Sequence, residues 1–388
     1  MRQETKVVTG GRHPERFGGA VNTPVIRTST VVAETVADWN RMDEPDYDGM
    51  IYGRLGTPTV WSLEEAVAEL EGGDRSFAYP SGLAANVGAV VAFVSAGDHV
   101  LLTDSVYGPV RRFMNNVLSR MGVEVSFFDP LAGASVKEHF RPHTKVVYVE
   151  SPGSLTFEMQ DIPAIAAEAH KIGAVVLMDN TWGTPLYYKP FEHGVDVSIQ
   201  SATKYIVGHS DVMMGLVTAK SEHAPKVQRC RQDFGLIPGP DDSYLALRGL
   251  RTMHVRLAQH QKSALALADL LAGSASVERM LCPQRPGDPG HDLWKRDFTG
   301  ACGLFGVVFK PMSKKALAAF IDAMPLFAIG ASWGGYESLV MQVHPEKART
   351  VSPWTDKGPV IRFHAGLENI DDLLENVEAG LTALGKAL

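Results

Sequence analysis

The chain has 388 residues, 45% hydrophobic and 21% charged, a balance that supports a large core without disulfides or structural metal. Lysine and arginine number 37 against 44 aspartates and glutamates, and the net −7 argues against a nucleic-acid or anionic-membrane surface. Cys230, Cys282 and Cys302 are scattered and odd in number, so a reducing, cytoplasmic setting is expected rather than a disulfide framework. Residues 1–19 show no apolar core of a secretion signal. The longest apolar run, 83–96, contains Asn86 and is too short to span a bilayer.

In chain order, residues 1–55 are rich in Gly, Pro, Thr and Arg and read as an extended arm with short turns. Ser62-Leu-Glu-Glu has the form of a capping box, so a helix is expected from Ser62 to the Gly72-Gly73 pair. Strand-like segments follow at 76–79, 100–103, 123–128, 145–150, 174–179, 195–200 and 213–219. Helical stretches at 83–94, 110–121 and 162–171 lie between them. This alternation predicts an α/β fold with a mostly parallel sheet covered by helices on both faces. A long helix is expected over 242–271, then shorter strands near 303–310, 327–332 and 360–364 in a smaller α+β domain. The expected division is therefore 1–55, 56–245 and 246–388.

Several signatures are missing. No G-x-G and no G-x-x-x-x-G-K-[ST] occurs, and Gly208-His-Ser-Asp-Val lacks the second glycine of a nucleophile elbow. His139 and His143 sit four apart, but Pro142 breaks any helix between them, so a solvated loop outweighs a metal site.

The informative segment is Asp196-Val-Ser-Ile-Gln-Ser-Ala-Thr-Lys-Tyr-Ile-Val-Gly-His-Ser210, where a strand runs into hydroxyls, a lysine and a glycine turn. Desolvation at a buried strand end favours the neutral amine of Lys204, and a neutral amine condenses with aldehydes. Ser201 and Thr203 stand beside it as phosphate donors. Alone, Thr-Lys reads by default as an exposed lysine at a strand end. Two further segments shift the balance. Ala174-Val-Val-Leu-Met-Asp179 ends an apolar strand in a carboxylate able to hold a pyridine nitrogen protonated. Tyr79-Pro-Ser81-Gly82-Leu83 opens a helix whose first N–H groups form an anion site.

With these residues in view, 196–210 resembles the pyridoxal-phosphate attachment signature of the transsulfuration enzymes, the Cys/Met-metabolism group of fold-type I. The resemblance extends from Ile51-Tyr-Gly-Arg-Leu-Gly-Thr-Pro-Thr to Ile361-Arg-Phe-His. It implies a seven-stranded, mostly parallel sheet in the large domain and pyridoxal 5'-phosphate carried on Lys204. Asp179 would face the ring nitrogen, and Gly82, Leu83, Ser201 and Thr203 would hold the phosphate. Tyr107 would stack on the ring and belong with Lys204 and Asp179 to the catalytic set. Tyr52 and Arg54 match a Tyr-x-Arg that reaches the phosphate of a neighbouring subunit, which implies a homo-oligomer, a dimer at least and a homotetramer by expectation. Arg362 would clamp the substrate α-carboxylate, with Ser332 and Trp333 nearby.

Two patterns resemble the β-lyase branch of that family. Glu150-Ser-Pro-Gly153-Ser154 carries Gly-Ser where γ-enzymes usually have asparagine, and Ala331-Ser332-Trp333-Gly-Gly has tryptophan where they usually have leucine. The segments Arg248-Gly-Leu-Arg-Thr and Trp294-Lys-Arg-Asp-Phe-Thr-Gly point the same way, whereas Phe234 falls near a place where that branch carries tyrosine. The implied activity is cleavage of the Cβ–S bond of an amino-acid thioether, L-cystathionine foremost, with cystine or cysteine conjugates beside it. A γ-lyase or γ-synthase on the same fold is the nearest rival, and a non-catalytic cofactor-binding regulator the distant one.

Overall fold

Seven strands form the first sheet: β1 (Arg75–Tyr79), β2 (His99–Thr103), β3 (Glu124–Phe128), β4 (Thr144–Glu150), β5 (Val175–Asp179), β6 (Val197–Gln200) and β7 (Gly215–Ala219). The computed structural model describes residues 1–44 and 47–388. Strand order is β1-β7-β6-β5-β4-β2-β3, and only β7 opposes its neighbours. β2 and β6 are buried along their whole length; β2 accordingly carries the apolar run Val100-Leu-Leu, whereas β6 buries the polar Ser198 and Gln200 as well. β1 is antiparallel to β7, and β7 to β6, so β1 points the same way as β4, β5 and β6. The carboxyl ends of β1, β2, β4, β5 and β6 therefore open on one edge, the usual ligand edge of an open α/β sheet.

A second sheet contains β8 (Val277–Leu281), β9 (Leu304–Phe309), β10 (Ala328–Ile329), β11 (Leu339–Val343) and β12 (Val360–His364), in the order β10-β11-β12-β9-β8. β12 is central and antiparallel to both neighbours. Its inward residues Ile361 and Phe363 join Phe305, Phe309 and Phe320 in a core against the helices Met253–Ala272 and Ile370–Ala387. No helix among the described residues is long and apolar enough to cross a membrane.

The seven expected strands of the first sheet are all present, as is the helix Ile162–Lys171, capped by Asp161. Several local expectations need correction. The capping box at Ser62 is not one: the helix is Pro58–Glu71, with extended Thr57 before a proline at its first turn. Ser62 lies buried inside that helix, its Oγ 2.7 Å from Thr23 Oγ1. The helix does end at Gly72, which takes the left-handed conformation at φ 79°. The long helix over 242–271 is two, Pro240–Leu250 and Met253–Ala272. Gly249 abuts the backbone carbonyls of Ile206 and Val207, and Arg256 Nη2 donates to the Gly249 carbonyl at 2.7 Å where the helix ends. The 110–121 stretch begins as a helix at Gly108–Phe113 and then changes its hydrogen-bond spacing over Met114–Leu118 and Ser119–Met121. β8 and β11 had no counterpart in the sequence reading, and of 327–332 only Ala328–Ile329 is strand. The arm begins with a helix, Gln3–Thr9, whose Val7 is fully buried in the chain's own core.

These contacts reverse the usual effect of alanine in helices. Gly249→Ala would place its Cβ 2.1 Å from the Val207 carbonyl oxygen. It should therefore destabilise by about 1–3 kcal/mol although alanine is the better helix former. Gly385→Ala, in Ile370–Ala387 with open space around it, should instead stabilise by about 0.5–1 kcal/mol. Urea unfolding of the two variants reads both signs.

Candidate active site

Asp179 ends β5, 7% exposed, and its carboxylate is held from two sides. Asn86 Nδ2 donates to Oδ2 at 3.1 Å, while the Thr181 backbone N–H and hydroxyl donate to Oδ1 at 3.0 and 2.5 Å. Asn86 is itself fixed: Nδ2 also donates to the Gly82 carbonyl at 3.0 Å, and its Oδ1 accepts from the Tyr148 hydroxyl. The Ser201 N–H donates to Thr181 Oγ1 at 2.8 Å, completing a polarised chain into the carboxylate. Among the described residues no lysine, arginine or histidine lies within 4 Å of it. Burial pushes its pKa up, against the hydrogen bonds from Thr181 and Asn86 and the charge of Lys204. An uncompensated buried carboxylate is costly, so this geometry calls for a cationic partner.

The first residues of the helix Gly82–Val91 lie on the same sheet edge. Ser81 caps that helix, accepting the Ala84 N–H at 3.1 Å, and the N–H groups of Gly82 and Leu83 have no acceptor among the described residues. A Cβ on Gly82 would sit 2.3 Å from Ser201 Oγ, so only glycine lets this helix end and the 201–204 turn meet. Ser201 Oγ has no protein partner. Thr203 differs from the expectation of a phosphate donor: its hydroxyl donates to the Met214 carbonyl at 3.0 Å and accepts the Met214 N–H at 2.8 Å. Its single proton is committed to the backbone.

Lys204 follows β6 in this turn, and its Nζ donates to Ser332 Oγ at 2.7 Å and lies 5.2 Å from the Trp333 ring centre. Burial first, then the Arg362 charge, lowers the ammonium pKa to about 8, while Asp179 opposes them. Arg362, on β12, donates from Nη2 to the Ala331 and Ser332 carbonyls at 2.8 and 3.2 Å, and burial lowers its own pKa to about 10. Trp333 rests on Tyr205, ring centres 5.6 Å apart. Tyr107, 44% exposed, follows β2 and is placed by its N–H, which donates to Glu150 Oε2 at 2.7 Å. Burial, then the charges of Asp179 and Glu150, raise the Tyr107 pKa.

The structure thus gathers Asp179, Gly82, Leu83, Ser201, Lys204, Ser332, Trp333 and Arg362, with Tyr107 on the same edge. It does not bring Tyr52 or Arg54 there. Both are exposed, Arg54 Nη1 donates to the Gln232 carbonyl at 2.8 Å, and no hydrogen bond joins either to the Lys204 cluster. The sequence reading missed Asn86, Thr181 and Glu150 as site residues. A polar Asn86 inside the most apolar run was the available signal.

Comparison with known proteins agrees with this architecture. The model of the Cys/Met metabolism PLP-dependent enzymes matches residues 4–382. Cystathionine beta-lyase MetC of Escherichia coli (strain K12) is 41% identical over 388 residues, covering 98% of each chain. The L-alanine/L-glutamate racemase of Wolbachia pipientis wMel is 37% identical over 398 residues, covering 99% of this chain and 98% of its own. A solved structure, that of metB from Corynebacterium glutamicum, superposes with TM-score 0.91 at 30% identity over 99% of this chain and 98% of that one.

The chain belongs to the family of Cys/Met metabolism PLP-dependent enzymes. Its site suits that cofactor: a buried carboxylate without a counter-cation for the ring nitrogen, unpaired N–H groups and a free hydroxyl for a phosphate, and a half-buried amine for an aldehyde. Borohydride reduction of the yellow holoenzyme should fix the cofactor on Lys204, read by peptide mass spectrometry. Reconstitution of apoenzyme should accelerate as pH rises towards about 8, where the Lys204 amine becomes neutral, and level off above it. Label on another lysine would contradict the site.

Proposed function

We propose that the chain is a carbon–sulfur β-lyase that converts L-cystathionine and water to homocysteine, pyruvate and ammonia. The observation that carries the reading is the meeting of Lys204, Ser332, Trp333 and Arg362: one amine lies 2.7 Å from a hydroxyl and 5.2 Å from an indole, beside a guanidinium. The 41% identity to a cystathionine beta-lyase over nearly the whole chain supports it.

When bound, pyridoxal phosphate supplies the electron sink for negative charge at Cα. The chain's residues do the rest. Arg362 is anchored through Nη2 and keeps its other N–H donors for the substrate α-carboxylate, which orients the Cα–H bond. Lys204, once neutral, takes the Cα proton and is then an ammonium able to protonate the leaving thiolate. Asp179 would keep the ring nitrogen protonated, and Tyr107 would lie against the ring. Gly82, Leu83 and Ser201 would bind the phosphate, joined by Thr203 if its hydroxyl turns from Met214.

The racemase relative favours a second reading, since racemisation needs the same Cα proton removal but no departing group. Incubation with cystathionine, cystine, methionine, L-alanine and L-glutamate separates the readings. Pyruvate with homocysteine supports the β-lyase, 2-oxobutyrate with cysteine a γ-lyase, and D-amino acid alone a racemase. Under the β-lyase reading, Trp333→Leu should lower kcat/KM for cystathionine roughly tenfold, about 1.4 kcal/mol. Arg362→Ala should lose about a hundredfold or more, because the carboxylate clamp goes.

The 1–55 arm, with exposed Tyr52 and Arg54, would complete the phosphate site of a neighbouring subunit in a cytoplasmic homo-oligomer, a dimer at minimum and a tetramer by family resemblance. Mixing inactive Arg54→Ala and Lys204→Ala subunits should then restore part of the activity, because one hybrid site carries both wild-type groups. An assay after confirmed subunit exchange checks this, and no recovery would argue against a site shared between subunits.

A further inference from the structure

β12 presents two side chains, Arg362 and His364, to the segment 331–335. Residues two apart on a strand share a face, so the pair works as two adjacent grips. Arg362 Nη2 donates to the carbonyls of Ala331 and Ser332. His364, 1% exposed, lies with Nε2 3.1 Å from the Gly334 N–H and 3.1 Å from the Gly335 carbonyl oxygen. On its other side Gly334, at φ 87°, presses on the lysine itself: a Cβ there would come within 2.8 Å of Lys204 Cα. The segment that carries Ser332 and Trp333 is thus held between the Lys204 backbone and the His364 ring.

Behind it lies a cluster of rings. Tyr205 contacts Trp333, His364 and His260 at centre distances of 5.6, 5.9 and 5.3 Å, and the two imidazoles are 5.2 Å apart. His260 Nδ1 is 2.7 Å from the Ala365 carbonyl oxygen, and the Tyr205 hydroxyl accepts the Gly303 N–H at 2.9 Å. Among the described residues, neither His364 Nδ1 nor His260 Nε2 has a hydrogen-bond partner. A space-filling role would not select histidine here, because an unpartnered buried ring nitrogen costs free energy that leucine would avoid. What leucine lacks is Nε2.

We infer that His364 is a positioning residue for the lyase reaction: its Nε2 fixes the Gly334–Gly335 backbone against Lys204 and so sets Ser332 and Trp333 beside the reacting amine. This rests on the β-lyase reading above. Burial lowers the pKa of His364 well below the usual histidine range, so the ring is neutral and Nε2 serves either the Gly334 N–H or the Gly335 carbonyl at one time. A glutamine amide offers an acceptor and a donor at similar reach and can serve both. Asparagine ends about one bond short.

The test compares holoenzyme His364→Gln, His364→Asn and His364→Leu with wild type, by kcat and KM for cystathionine and by hydrogen exchange over 330–338. His364→Gln should stay within threefold of wild-type kcat/KM. His364→Asn and His364→Leu should fall about tenfold or more, mainly in kcat. Exchange of the Gly334 amide should speed up in the Asn and Leu variants, with the helix Met253–Ala272 unchanged. Should His364→Leu not fold, the Gln and Asn pair decides alone. Equal activities for Gln and Asn, full activity in a folded Leu variant, or unchanged exchange at Gly334 would overturn the inference. Wild-type enzyme that forms no pyruvate would refute the β-lyase reading instead, and hydrogen exchange would still test the grip on Gly334.

Discussion

The site is organised around the buried Asp179 carboxylate at the end of β5. A carboxylate taken out of water without a cation is tolerated only when dipoles replace its hydration, and Asn86 and Thr181 supply them. Each donor in turn commits another element. Asn86 ties in the helix Gly82–Val91 through the Gly82 carbonyl and β4 through Tyr148, and Thr181 ties in the residue after β6 through the Ser201 N–H. The carboxylate, the open helix end and the turn bearing Lys204 are therefore set by a single network. On the proposed reading, the cationic ring nitrogen of a bound pyridoxal would supply the charge that this network lacks.

Much of this was legible in the chain. Parallel strands buried on both faces tend to appear as apolar runs, and the carboxyl end of β5 appears as the sudden polar Asp179 after Val-Val-Leu-Met. Where burial is one-sided the reading weakened. β8 carries exposed Glu278 and Arg279 and merges with loop composition. The helix break after Leu250 has no proline to announce it, because it follows from Gly249 meeting the carbonyls of Ile206 and Val207 across the fold. Ser62 looked like a cap because Ser-x-x-Glu is a local pattern, yet Pro58 starts the helix a turn earlier and Thr23 takes up the serine hydroxyl. Thr203 and His364 show the same limit. One spends its hydroxyl on Met214 and the other aims Nε2 at Gly334, and both facts belong to tertiary contacts.

The second sheet does more than close the cleft. Gly334 cannot carry a side chain because the Lys204 backbone occupies that space, and its positive φ turns the chain so that Trp333 faces the amine. Arg362 on β12, bonded to the Ala331 and Ser332 carbonyls, lowers the Lys204 pKa through its charge. The backbone geometry of one sheet thereby adjusts a titration on the other.

That adjustment has a direction. Arg362 stabilises the neutral form of Lys204, adding to burial in lowering its pKa to about 8. On the reading proposed above, a substrate carboxylate docking on Arg362 would cancel part of that positive potential, so the proton affinity of the lysine, once released from the cofactor, would rise while substrate is in place. In the apoenzyme the lowered pKa leaves part of the amine neutral near pH 7 for condensation with the cofactor aldehyde. Released by substrate, the same group would be a stronger base towards the Cα proton and a more stable ammonium once it holds it. A lysine tuned by burial alone would have the first property without the second. On that reading, the placement of Arg362 rather than an apolar residue on this face of β12 would link substrate recognition to base strength, and the 331–335 segment, bonded to both Arg362 and His364, would keep the two charges at a working distance.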